Sequence, residues 1–148
     1  MTNIQRAYQI DANRNPIINL GLTETKSITY SALTTGAVGA TDLFTVTGVV
    51  NVRLFAVCST SLTGSGTIEA GIAGATASLI AQTTGTDIDE NEIWLDTSPA
   101  TYETYPSGII LDGSDIIQTI ASDTLTAGTL KYYCIWSPIS SDGNVSAA

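Results

Sequence analysis

The 148-residue chain contains no histidine. That absence excludes Ser-His-Asp and Cys-His nucleophile systems together with the zinc sites that rely on imidazole. Charge is scarce too: Asp, Glu, Lys and Arg make up 13% of the chain, about half of the roughly 25% usual in a soluble domain. Five basic residues stand against fourteen acidic ones, a net charge of −9. Binding nucleic acid through its phosphates needs clustered cations, so nucleic acid is excluded as a partner. No run approaches the ~20 apolar residues of a membrane helix, and the N-terminus lacks the basic-then-apolar layout of a secretory signal. The chain is therefore expected to be soluble, made in a cytoplasm and not held by a membrane. Phosphate-cradling glycine loops are missing as well: Gly64, Gly66, Gly71 and Gly74 lie among apparent β-turns rather than between a strand and a helix.

What the chain does have is threonine, twenty-three of them, with abundant Ala, Gly, Ile and Val. β-Branched residues fit a pleated, half-buried surface better than a helix. From residue 27 onward, short β-type runs alternate with turn signals: 27–33, 43–47, 49–59, 67–73, 77–82, 93–95, 108–111, 115–121 and 129–137. In the first long run Val50, Val52, Leu54, Ala56 and Cys58 share one face, while Asn51, Arg53, Phe55 and Val57 share the other. In the last run Leu130, Tyr132, Cys134 and Trp136 share a face. The pair 67–73 and 77–82, separated by Gly74, reads as a hairpin. The pattern predicts an all-β fold, an antiparallel two-sheet β-sandwich of jelly-roll or related Greek-key type. One core suffices for a chain of this length.

Three parts are expected. Residues 1–26 read as an extended N-terminal arm, 27–139 as the sandwich, and 140–148, small and polar, as a flexible C-terminal tail. The arm holds Arg6, Arg14 and Lys26 against Asp11 and Glu24, a balance of +1, whereas 27–148 carries Arg53 and Lys131 against twelve acids, a balance of −10. Tyr8, Ile10 and Ala12 alternate, and Ile17, Ile18 and Leu20 follow the turn at Asn13-Arg14-Asn15-Pro16. Such a segment either forms ordinary first strands of its own domain or reaches onto a neighbour.

Three candidate sites stand out. The acidic run Asp87, Asp89, Glu90 and Glu92 has the residue types of a calcium site, without the glycine and terminal glutamate of a helix-loop-helix loop in register; the plainer reading is a solvated loop. No metal or other cofactor is expected. Tyr102 and Tyr105, in a loop bounded by Pro99 and Pro106, are the candidates for an exposed platform, while Tyr132 and Trp136 behave as core. Cys58 and Cys134 fall on the inward faces of the two longest runs and are expected to be free thiols, with a disulfide as the alternative. Paired-carboxylate catalysis needs two acids facing across a cleft, which the pattern does not pick out, so no enzyme is expected.

The run Thr34-Thr35-Gly36-Ala37-Val38-Gly39-Ala40-Thr41-Asp42-Leu43-Phe44, the long strand through Cys58, and the ending Gly128-Thr129-Leu130-Lys131-Tyr132-Tyr133-Cys134-Ile135-Trp136-Ser137-Pro138 with its Ser-Asp-Gly-Asn tail carry a resemblance. They resemble the small β-sandwich decoration, or cement, proteins on the heads of tailed bacteriophages. The resemblance implies a virion location, a homotrimer and the major capsid protein as partner. On that reading Arg6, Tyr8, Ile10, Arg14, Ile17, Ile18 and Leu20 form the arm that binds the capsid or a neighbouring subunit, by strand addition or docking of apolar side chains. A tail or fibre component and a carbohydrate-binding module are the alternatives.

Overall fold

A computed structural model describes residues 21–148. Ten strands form two antiparallel five-stranded sheets, a β-sandwich, with no α-helix among the described residues. The strands are β1 (Leu22–Thr29), β2 (Gly39–Thr47), β3 (Val49–Thr63), β4 (Thr67–Ile72), β5 (Ala75–Thr84), β6 (Ile93–Trp94), β7 (Ile109–Asp112), β8 (Ile116–Ala121), β9 (Ala127–Pro138) and β10 (Asn144–Ala147). One sheet runs β1-β9-β3-β6, with β7 also paired to β3; the other runs β10-β2-β8-β4-β5.

The expected alternation holds along both long strands. Val50, Val52, Leu54, Ala56 and Cys58 of β3 are buried against the second sheet, as are Leu130, Tyr132, Cys134 and Trp136 of β9. The two strands pair from Val50 opposite Pro138 to Thr63 opposite Ala127, with irregularities at Cys58/Thr60 and Thr60/Thr63. Gly128 sits in that irregular stretch at φ +111°, and a Cβ there would lie 2.6 Å from the Ser61 carbonyl oxygen. Glycine is the residue such a conformation and approach allow. The expected hairpin is β4–β5, turning at Gly74 with φ +86°.

Inside the core, the Tyr30 and Tyr132 hydroxyls both donate to Gln118 Oε1 at 2.8 Å, joining the two sheets through a polar contact. Trp94 meets Tyr132 edge-on, with ring centroids 6.2 Å apart, and its Nε1 donates to Thr83 Oγ1 at 2.8 Å. The two hydroxyls, Gln118 Oε1 and Trp94 Nε1 are thereby paired, whereas Gln118 Nε2 is buried without a hydrogen-bond partner.

Several boundaries differ from expectation: β2 begins at Gly39 rather than 43, β3 runs on to Thr63 rather than 59, and the differences at the two termini are larger. The arm was expected to run to residue 26, but the first strand already begins at Leu22 and pairs with β9, Leu22 opposite Trp136 through Thr29 opposite Thr129. Backbone ladder bonds suit the Thr-rich stretch even though Glu24 and Lys26 interrupt its apolar pattern. At the other end of that strand, residues 31–37 turn: Thr35 Oγ1 donates to Thr29 O at 2.6 Å and accepts from Ser31 N–H at 3.1 Å, so the run does not reach Leu33. The tail expected to be flexible contains β10, which pairs with β2 from Asn144 opposite Thr47 to Ala147 opposite Phe44 and buries Val145. The arm residues Arg6, Tyr8, Ile10, Arg14, Ile17, Ile18 and Leu20 lie outside the described residues.

Candidate interaction face

The outward side of the first sheet is built by the alternate residues of its two central strands. β3 contributes Asn51, Arg53, Phe55 and Val57, and β9 contributes Lys131, Tyr133, Ile135 and Ser137. The register sets them in rows: Arg53 beside Ile135, Phe55 beside Tyr133, Val57 beside Lys131. β6 adds Ile93 opposite Val57, and β7 adds Ile110 opposite Asn51. Ile110 is 67% exposed. An outer sheet face normally alternates to polar residues, so a row of half-buried Ile, Val and aromatic side chains is a departure from that pattern.

Phe55 and Tyr133 stack with centroids 5.2 Å apart and ring planes 9° from parallel. Lys131 Nζ lies 5.2 Å from the Tyr133 ring centroid, and Arg53 Cζ lies 5.1 Å from that of Tyr105. A cation over a ring face is attracted by its quadrupole, by about 0.5–1 kcal/mol at exposed sites. Both cations of residues 27–148 therefore sit on this one face, each held against an aromatic ring. The second sheet's outward side is different in kind. Asp42, Thr67, Glu69 and Thr119 alternate with buried neighbours, and no aromatic side chain belongs to its strands' outward positions.

The platform candidates part company here. Tyr105 joins the face through Arg53, whereas Tyr102 is 83% exposed. Asp87, Asp89, Glu90 and Glu92 do not assemble into a cation site: Glu92 Oε2 turns back to accept from Asp89 N–H at 2.9 Å, and Glu90 N–H donates to Ser61 Oγ at 2.9 Å. No group of three or more potential metal-ligating side chains occurs among the described residues. Hydrogen bonding closes that loop on itself instead of leaving its carboxylates convergent. Lys131 and Tyr133 fall on the side of their strand opposite Leu130, Tyr132, Cys134 and Trp136, but that parity alone does not say which residues of another strand stand beside them. The signal that finds them is parity with Arg53 and Phe55 once β3 and β9 are paired.

No family model matches the chain, and no curated protein or solved structure matches it.

The ionisable groups with raised pKa values are core groups. Burial pushes the Cys134 thiol up to about 12, helped by the nearby Glu24 charge. Burial raises Cys58 as well, with Asp89 and Glu92 adding to the effect. Burial is also the leading cause for Tyr30 and Tyr132, both held well above the ordinary phenol value. All four stay protonated at neutral pH, so the thiols are poor nucleophiles there. Both cysteines are free. Cys134 lies opposite Leu54 on the neighbouring strand, four residues along from Cys58, a separation of about 13 Å that no disulfide spans.

Proposed function

We propose that this chain is a non-enzymatic building block of a protein shell, in the form the resemblance implies: a decoration protein that docks on the outside of a phage head and holds neighbouring capsid subunits together. The observation that carries the reading is the outward face of β3 and β9, where Phe55, Val57, Tyr133 and Ile135 stand where a free sandwich would present polar residues. A scarcity of charge over the whole chain supports it further, since charged residues are depleted at the cores of interfaces. Many copies on a symmetric shell would then act through avidity.

Light scattering on the purified full chain tests the reading, with a mass above one chain expected. A Phe55→Ser/Tyr133→Ser variant should keep its β-sheet spectrum and lose association with the shell. A wild type that stays at the mass of one chain and binds no capsid protein would refute the proposal. Glycan binding is the weaker reading, because Phe55 already stacks on Tyr133 and Arg53 lies over Tyr105. Of the candidate platform only Tyr102 is left for a sugar, and one ring is less than the several contacts such sites use.

A further inference from the structure

A sandwich has four sheet edges, and each is a template for unwanted or wanted pairing. Three of these are short or irregular. β10 has four residues, β6 and β7 have two and four, and β5 pairs with β4 through two register shifts. β1 is the exception: eight residues, paired to β9 in unbroken register, and with no second strand beside it among the described residues.

The phase of its free side can be read. Tyr30 N–H donates to Gly128 O at 2.9 Å, continuing the β1–β9 ladder by one step. Even-numbered residues therefore turn their N–H and C=O toward β9, and Thr23, Thr25, Ser27 and Thr29 turn theirs outward. Thr29 O is accordingly the oxygen that Thr35 Oγ1 reaches. On the core side of the strand stand Leu22, Glu24, Lys26 and Ile28, opposite the buried Trp136, Cys134, Tyr132 and Leu130. Leu22 is 47% exposed.

We propose that β1 pairs antiparallel with β1 of a second copy about a two-fold axis through Thr25, making one continuous sheet across two sandwiches. That register sets Glu24 of each copy opposite Lys26 of the other, Leu22 opposite Ile28, Thr23 opposite Ser27, and Thr25 opposite itself. The outward N–H and C=O groups of Thr23, Thr25 and Ser27 then exchange hydrogen bonds across the axis. A shift of two residues one way puts Glu24 against Glu24, and the other way puts Lys26 against Lys26. Parallel pairing in step sets both like charges together, and a one-residue slip sends core-side residues to the outer face. Inward-pointing charges commonly keep an edge from pairing; here they reject every neighbouring register and accept one. The contact is isologous, so it predicts the mass of a dimer or a multiple of it, where the phage resemblance implies a trimer.

The pairing stands independently of the shell reading. Thr25→Cys in the full chain tests it, because residues opposite in a hydrogen-bonded antiparallel pair have Cα atoms about 5.5 Å apart, within disulfide range. Mild oxidation should give a disulfide-linked dimer on a non-reducing gel, and Thr23→Cys, which faces Ser27, should not. Glu24→Lys should weaken association about tenfold by setting lysine against Lys26, and Glu24→Lys/Lys26→Glu should restore it. Lys26 also donates to Asp42 O and Ala148 O, each at 2.7 Å, so the swap is read by mass and not by melting temperature. A folded Thr25→Cys chain that does not cross-link overturns the pairing. If the wild type then still exceeds the mass of one chain, the shell reading stands without it.

Discussion

Phe55 and Tyr133 lie directly opposite each other on the two central strands, with their rings 9° from parallel on the side of the sheet that faces away from the core. A stacked pair normally gains from desolvation, yet this one is only half-buried. It stabilises the ladder modestly and leaves apolar surface on view, which is the physical basis for assigning the face to a partner.

The first prediction separates those two roles. Single and double alanine variants of Phe55 and Tyr133, placed in a thermodynamic cycle by denaturant unfolding, should give a coupling of about 0.5–1 kcal/mol. Binding to the partner should fall by much more than that coupling. A loss of stability as large as the loss of binding would mean the pair serves the fold alone.

The polar contact between sheets makes a second prediction. Tyr30→Phe leaves Gln118 Oε1 with Tyr132, whereas Gln118→Leu removes the acceptor of both hydroxyls, which then have only each other at 3.3 Å. Gln118→Leu should therefore cost about 1–3 kcal/mol, and Tyr30→Phe less. The order of the two chemical-denaturation midpoints checks this.

Alkaline stability follows from the buried thiols and phenols. Cys134 is raised from 9.0 to about 12 in the fold, and Tyr30 and Tyr132 are raised above 10.0. Above the unfolded values the unfolded chain loses protons that the folded chain keeps, so stability falls as pH rises. Below about pH 9 these groups are protonated in both states and contribute no slope. Melting temperature should thus be insensitive to them up to about pH 9 and decline toward pH 12. The decline should begin about one pH unit higher in a Cys58→Ala/Cys134→Ala chain, where only the tyrosines, with an unfolded value of 10.0, remain. The same burial predicts that neither thiol reacts with an aromatic disulfide reagent until the chain is denatured, and that the intact mass shows no two-dalton deficit.

Gly36 offers a steric test in the segment that carried the family resemblance. It is buried, its N–H donates to Ser31 O, and its own carbonyl accepts from Leu125 N–H. A Cβ there would fall 1.8 Å from the Leu125 carbonyl oxygen, an impossible approach to backbone. Gly36→Ala should unfold or displace the 31–37 turn, whereas Gly74→Ala, with nothing within 4 Å, meets only the strain of φ +86°. A strongly positive φ costs a residue with a side chain about 1–2 kcal/mol, so Gly36→Ala should show the larger loss of melting temperature.

Much of the sandwich was legible because Val50 to Cys58 and Leu130 to Trp136 alternate with period two, and turns fall at glycines. The half of the interaction face on β3 was legible as a set, since Arg53, Phe55 and Val57 share a parity. Its β9 half was legible only as a parity, since Lys131, Tyr133 and Ile135 alternate with the core row Leu130, Tyr132, Cys134 and Trp136; which of them stand beside Arg53 and Phe55 is set by the pairing with β3. Tyr105 reached the face through a loop whose path no periodicity encodes. Strands held by backbone bonds more than by apolar side chains were missed for the same reason, β1 before residue 27 and β10 among them.

β10 turns that lesson into the last prediction. Residues 140–148 were expected to be a flexible tail, and truncation of a flexible tail leaves stability unchanged. In the fold, Val145 is 2% exposed, β10 pairs with β2, and Ala148 O accepts from Lys26 Nζ at 2.7 Å, tying the edge of one sheet to the other. Removing residues 144–148 exposes the core beneath Val145, worth about 1.5–3 kcal/mol for one such side chain, and frees the β2 edge. Lys26→Met, which keeps the aliphatic stem and deletes the donor, should cost about 1 kcal/mol, and its effect should shrink without vanishing in the truncated chain, where Ala148 is gone while the contact to Asp42 O remains. A truncated chain with an unchanged denaturation midpoint would show that β10 adds nothing to the fold. Val145→Ser in the full chain then separates loss of the apolar contact from loss of the ladder: the substitution should account for roughly half of the truncation effect, the rest lying in backbone pairing that no side-chain pattern announces.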